Sequence, residues 1–290
     1  MTRDSLAIFD ARALVSGARG LVSDTRRVLA RGDLAAAAAT LTYYAAIAIV
    51  PWVLLAIWST TWIRGTDAAD ESLTASRVLI PPDMGARPVF AEAVVVGTHL
   101  GVVSAIVLLF PASFYGEGLR RACMSMYPHR DRFTGWRSRL AILGLVVLVP
   151  PLAHIAAVVA ASITGLAPDG GGSGGFWDLA ARVVIGFVTV WLTVAAVLTW
   201  VYWKVTPGTP TPVAAGAAAL GTASFIAGFV QGFLLFLSIP LDVGIPYGGL
   251  RVIGGVVAVG LWLYVLHVIV IVGWAVCQAI GGSGRESQGS

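Results

Sequence analysis

LAAAAATLTYYAAIAIVPWVLLAIWSTTWI, residues 34–63, runs for 30 residues without one Asp, Glu, Lys or Arg. A helix rising 1.5 Å per residue needs about 20 apolar residues to cross the hydrocarbon layer of a bilayer, so this stretch is long enough to span it. Working outward, comparable runs follow at 93–115, 140–163, 179–203, 213–239 and 252–278. The whole chain agrees, with 57% hydrophobic and 12% charged residues and a mean hydropathy of +0.84. A soluble domain carries about 25% charged residues to cover its surface. The expected fold is therefore all-α, a polytopic membrane helix bundle with about six transmembrane helices spanning residues 34–280.

The flanks read differently. Residues 1–33 form an amphipathic segment, cytoplasmic or interfacial. Arg12, Arg19 and Arg26 recur every seven residues, as do Leu14, Leu21 and Val28, and the two series are offset by about 200° on a helix. Such a helix anchors on anionic lipid headgroups or caps the bundle, and the pattern leaves both readings open. No short apolar core with a small-residue cleavage site precedes residue 34, so the first span is expected to act as its own insertion signal. Between the first two spans lie Asp67, Asp70, Glu71, Asp83 and Glu92, interrupted by Pro81-Pro82. The Gly-rich stretch 168–175 reads as a flexible connector, and 281–290 as a disordered tail.

Charge sets the expected orientation. Fourteen basic residues fall on the side holding the N-terminal segment, the loop 120–139, Lys204 and Arg285. Five fall on the other: Arg64, Arg77, Arg87, Arg182 and Arg251. Positive-inside bias then places both termini in the cytoplasm. Both cysteines, Cys123 and Cys277, come out near that side, where reduced thiols are the rule.

Three spans carry proline in their interior, at Pro51, Pro111 and Pro150-Pro151, each freeing a backbone carbonyl that needs another partner in lipid. In the fifth span Ala217, Gly221, Ser224, Gly228 and Gly232 share one sector, with Gln231 on its edge. Gly221, Gly228 and Gly232 are the expected helix-packing surface, or a gap over which a neighbour slides. Four ionisable side chains lie near or inside spans: His99, Glu117, His154 and His267. Glu117 and Arg121 are four apart on one helix face, which favours an ion pair. The histidines read as packed or hydrogen-bonded, since no two share a metal-ligand spacing. A candidate substrate path combines Tyr43, Tyr44 and Pro51 of the first span with Glu117, Arg120 and Arg121 at the end of the second. No nucleotide loop, catalytic motif or metal set is present in the sequence. The expectation is a non-enzymatic protein without cofactor, in contact with membrane lipids and not with nucleic acid.

The string Leu41-Thr42-Tyr43-Tyr44 through Pro51, and Tyr247-Gly248 ahead of the last span, resemble the YihY/virulence factor BrkB family. Arg137 and Arg139 before the third span, and the Tyr202 to Pro207 turn before a Gly/Ala-rich fifth span, add to the resemblance over about residues 30–280. The chain departs from it at Gly273-Trp274-Ala275-Val276-Cys277, where many members carry an acidic residue and Asn, and at Met124, a position often held by Asn. The resemblance implies a bacterial cytoplasmic (inner) membrane protein of six spans. Some members have carried a ribonuclease BN label, and nothing in these residues supports nuclease chemistry. Two functions remain: a transporter or flippase-like protein for lipid or envelope components, or a non-catalytic scaffold assembling as a homo-oligomer or with an envelope protein. A membrane-embedded enzyme is a third reading with less to carry it.

Overall fold

The computed structural model describes residues 3–67, 69, 86–127, 135–152, 155, 176–208, 210–238 and 244–286. The Pro81-Pro82 pair, the connector 168–175, His154 and most of the second half of the third expected span lie outside them. Helices dominate, and no strand occurs among the described residues: α1 (Arg3–Leu29), α2 (Leu34–Arg64), α3 (Ala86–Thr98), α4 (Val102–Met124), α5 (Gly135–Leu143), α6 (Phe176–Trp200), α7 (Pro212–Ser238) and α8 (Arg251–Glu286). A π-helical turn, Val201–Val205, extends α6, and a short 3₁₀ turn, Ile245–Tyr247, precedes α8. Five helices among the described residues are long and apolar enough to cross a membrane. The molecule is an all-α, multi-pass membrane bundle.

Local chemistry explains the boundaries. Asp33 caps α2, its Oδ1 accepting from the Ala36 amide at 3.0 Å. At the other end Gly65 adopts φ +77°, and its amide donates to the Thr61 carbonyl. The π turn closes with the Thr206 amide donating five residues back, to Val201, at 3.1 Å. Pro207, which has no amide to continue the ladder, follows.

Two expected boundaries are corrected. The apolar run 93–115 is not one helix but the end of α3 and the start of α4, separated at His99-Leu100-Gly101. Thr98 donates to the Val94 carbonyl at 2.8 Å, and the His99 ring lies 3.1 Å from the Val95 carbonyl, so side chains occupy the last carbonyls of α3. Gly97 and Gly101, poor helix formers, flank that break. Hydropathy does not register it, because Val96, Leu100 and Val102 stay apolar throughout. The second crossing is therefore Val102–Met124. At the other boundary, α8 continues to Glu286, into the stretch expected as a disordered tail. Extending an established helix gains one hydrogen bond per residue and offsets the glycine penalty.

Packing divides the bundle. α2 lies along α4 with α3 beside it, α6 lies along α7, and α8 touches both α7 and α2. α5 packs on α4 and on the π turn, and α1 packs on α8. The large core gathers at the end where α2 begins and α4 ends, the Arg-rich end: Leu41, Leu119, Ile142, Tyr202, Ile271 and Trp274 are all fully buried there. Towards the opposite end the described core shrinks to Leu55, Ala105 and Ala112, with Trp52 packed beside them. Val103, Val107, Val184, Phe225 and Val252 point outward, as lipid-facing side chains do.

Candidate functional site

The most concentrated polar chemistry sits at the Arg-rich end of α4. Glu117 is buried inside the helix face that meets α5. One carboxylate oxygen, Oε1, pairs with Arg121 one turn on, and the other, Oε2, pairs with Arg139 of α5. The Arg139 guanidinium also lies over the Phe114 ring, 4.3 Å from its centroid. Exposure separates the two partners: the Arg121 side chain is 60% exposed and Arg139 29%. Glu117 is thus a bridge between two helices as well as an i,i+4 partner.

Glycines let the helices come this close. A Cβ on Gly116 would collide with the Ser138 carbonyl and with Ile142 of α5. One on Gly118 would sit 2.5 Å from Tyr44 Cβ. Ser138 donates to the Val205 carbonyl at 3.1 Å, tying α5 to the π turn. From there Tyr202 donates to the Val270 carbonyl of α8 at 2.9 Å. The next contact is crowded: a Cβ on Gly273 would strike both Thr222 Oγ1 and the Tyr202 hydroxyl. The Pro207 carbonyl accepts from Trp274 Nε1 at 3.3 Å and from Gln278 Nε2 at 3.2 Å. The Arg-rich end is therefore closed by side-chain bonds running α4–α5–π turn–α8.

The expected path residues divide. Tyr44, half-buried, faces Gly118 beside the charged bridge, and Pro51 is buried. Tyr43 is 66% exposed and faces outward, touching Tyr44 only edge-on, with the ring centroids 5.7 Å apart. The reason is angular: Leu41, Ala45 and Ala48 define the buried side of α2, and Tyr43 lies about 200° from Leu41. Arg120 is half-buried. The small-residue stripe on α7 meets no close neighbour among the described residues. Gly221, Gly228 and Gly232 have nothing within 4 Å of a built Cβ among the described residues. Close approach is made instead by Gly116, Gly118, Gly144 and Gly273. Gly116, Gly118 and Gly273 each adjoin a polar or aromatic residue of a span, whereas Gly144 stands between two leucines and carried no signal in the sequence. Arg139 was visible as a basic residue before the third span but not as a partner of Glu117, because the pairing is 22 residues apart in sequence.

Two further features complete the surface. The outer face of α1 presents Arg19, Arg26 and Arg27 around a shallow groove of about 410 Å³ that also touches Val22, while Val28 turns into the core. At the π turn, Lys204 lies 3.4 Å from the Trp203 ring centroid.

A profile of the virulence factor BrkB family matches residues 25–289. The chain belongs to that family. The matched region takes in every spanning helix, the Glu117 bridge and the π turn. No curated protein and no solved structure matches the chain.

Proposed function

We propose that this BrkB-family protein is a transporter or flippase-like carrier of lipid or envelope components, and not an enzyme. On this reading it crosses a bacterial inner membrane six times with both termini in the cytoplasm. The observation that carries the proposal is the lopsided core. Side chains and polar bonds seal the Arg-rich end, while the described parts of α2–α4 and α6–α7 share no comparable core at the other end. A carrier closed on one side is sealed in this way, and the broken run at His99-Leu100-Gly101 lies away from that seal. The arginine excess around Glu117 is suited to an anionic headgroup arriving at the closed end, and the α1 face to the anionic lipid surface beside it. Membrane lipids are then both surroundings and cargo.

The test is leaflet exchange of fluorescent phospholipids in liposomes containing the purified protein. Exchange above that of protein-free liposomes, lowered in Glu117→Gln at equal protein, is the expected result. No exchange with any of a panel of neutral and anionic lipids would overturn the reading. A second reading, a non-catalytic scaffold, is favoured by the small-residue face of α7, which has no close neighbour among the described residues and which a second copy or an envelope protein would cover.

A further inference from the structure

His267 is a titratable group that the Glu117 bridge does not use. It sits on α8, is 5% exposed, and its Nδ1 lies 3.0 Å from Thr42 Oγ1 of α2. The Tyr115 ring of α4 is 5.8 Å away, centroid to centroid. Three helices therefore meet on one imidazole, and two of them, α2 and α8, form one of the contacts that join the two halves of the bundle.

The hydrogen bonds fix which nitrogen is basic. The Thr42 hydroxyl proton is already donated to the Ala38 carbonyl at 2.9 Å. Its oxygen can then only accept, so Nδ1 carries the hydrogen, and the Leu263 carbonyl one turn back is a further acceptor for the ring. Nε2 is left with its lone pair. The titratable groups facing this site are Tyr115 from α4, with Cys123 and Tyr202 beyond it, and Tyr264 on α8 itself. From α2 Thr42 makes the hydrogen bond, and the carboxylate nearest in sequence to Tyr115, Glu117, is held by Arg121 and Arg139. No described carboxylate is paired with His267.

We propose that His267 is a proton-binding site whose protonation parts α2 from α8, making the proton the coupling ion of the carrier. The inference rests on the transport reading for its purpose, but not for its physics. Nε2 takes a proton from water and the ring becomes a cation among apolar groups with no counter-charge. Such a charge is tolerated only where water reaches it. Thr42 is half-buried, so the pair lies at an edge of the α2–α8 contact, where parting of the two helices admits water. Uptake of the proton and opening of that seam are then one event, and release of the proton restores the Thr42 contact.

The experiment uses the full-length protein in lipid nanodiscs. Histidine ¹⁵N signals are followed from mildly alkaline to acidic pH, with the His267 signal assigned by its loss in His267→Gln. In parallel, spin labels at Val50→Cys and Leu261→Cys report the α2–α8 distance, with Cys123 and Cys277 changed to Ala. Labels at Val50→Cys and Val107→Cys report α2–α4 as the control. Acid is expected to protonate His267 and lengthen the α2–α8 distance only. His267→Gln abolishes the lengthening, and Thr42→Val, which removes an acceptor that only the closed, neutral form uses, moves its midpoint to higher pH. Should His267→Gln fail to insert, the Thr42→Val shift decides. A ring that stays neutral throughout, a distance that ignores pH, or a pH response that survives His267→Gln would each overturn the proposal. Neither readout involves lipid movement. A protein that opens with acid yet exchanges no lipid retires the transport reading alone, and one that exchanges lipid without opening retires the proton site alone.

Discussion

Glu117→Ala takes one carboxylate from two guanidiniums, and the structure assigns those two losses different sizes. Arg121, 60% exposed, is a surface partner on its own helix, and exposed i,i+4 pairs contribute about 0.3–0.5 kcal/mol. Arg139, 29% exposed, reaches Glu117 from α5 and is stacked on Phe114, so water cannot fully replace the carboxylate there. A charge-assisted hydrogen bond of this kind is worth about 1.5–3 kcal/mol. We expect Glu117→Ala to destabilise by about 2–3 kcal/mol and Arg139→Ala by about 2, both near the range for lost charge-assisted bonds. Arg121→Ala should cost under about 1 kcal/mol. The assay is reversible unfolding of the purified protein in mixed micelles, analysed as two double-mutant cycles. The Glu117/Arg139 coupling should exceed the Glu117/Arg121 coupling by about 1–2 kcal/mol. Equal couplings, or a neutral Glu117→Ala, would refute the view that Glu117 acts mainly between helices.

The remaining predictions draw on other parts of the bundle. Gly118→Ala pushes a methyl into Tyr44 and should destabilise by about 1–3 kcal/mol in the same assay, whereas Gly221→Ala should be neutral or slightly stabilising. Reporter fusions after residue 70, at Gly172 and at the C-terminus should read outside, outside and inside; a C-terminal reporter active only outside refutes the orientation. Tyr44→Phe and Glu117→Gln should each lower complementation of a deletion strain's envelope phenotype at unchanged membrane levels, and Tyr43→Phe should not, since Tyr43 faces outward. The purified protein should cleave no RNA, and cleavage lost in a point mutant of this chain would contradict that.

The helices were legible because crossing a bilayer imposes a length and a composition on contiguous residues, as Leu34–Ile63 displays. What hydropathy missed was made by backbone bonding. At the α3–α4 break Gly97 and Gly101 flank the bend and the His99 ring lies against the Val95 carbonyl, which leaves the apolar profile unchanged. At the site, Glu117–Arg121 was readable because four residues make one helical turn. Glu117–Arg139 was not, since it needs the approach of α4 to α5 that Gly116 allows. The α7 glycines find no close neighbour among the described residues for a related reason. A small-residue stripe says that a close neighbour is permitted, and only the arrangement of helices says whether one arrives.

Docking α1 against α8 has a consequence for biosynthesis. The ribosome makes α1 first and α8 last, so the inner face of α1, with Val28 and half-buried Leu21, waits for its partner through the synthesis of nearly the whole chain. Until then that face must rest on the lipid surface or on a chaperone. Its release onto α8 then marks a finished bundle. A chain truncated before α8 would keep α1 open, offering a quality-control protease an N-terminal handle that the completed protein conceals.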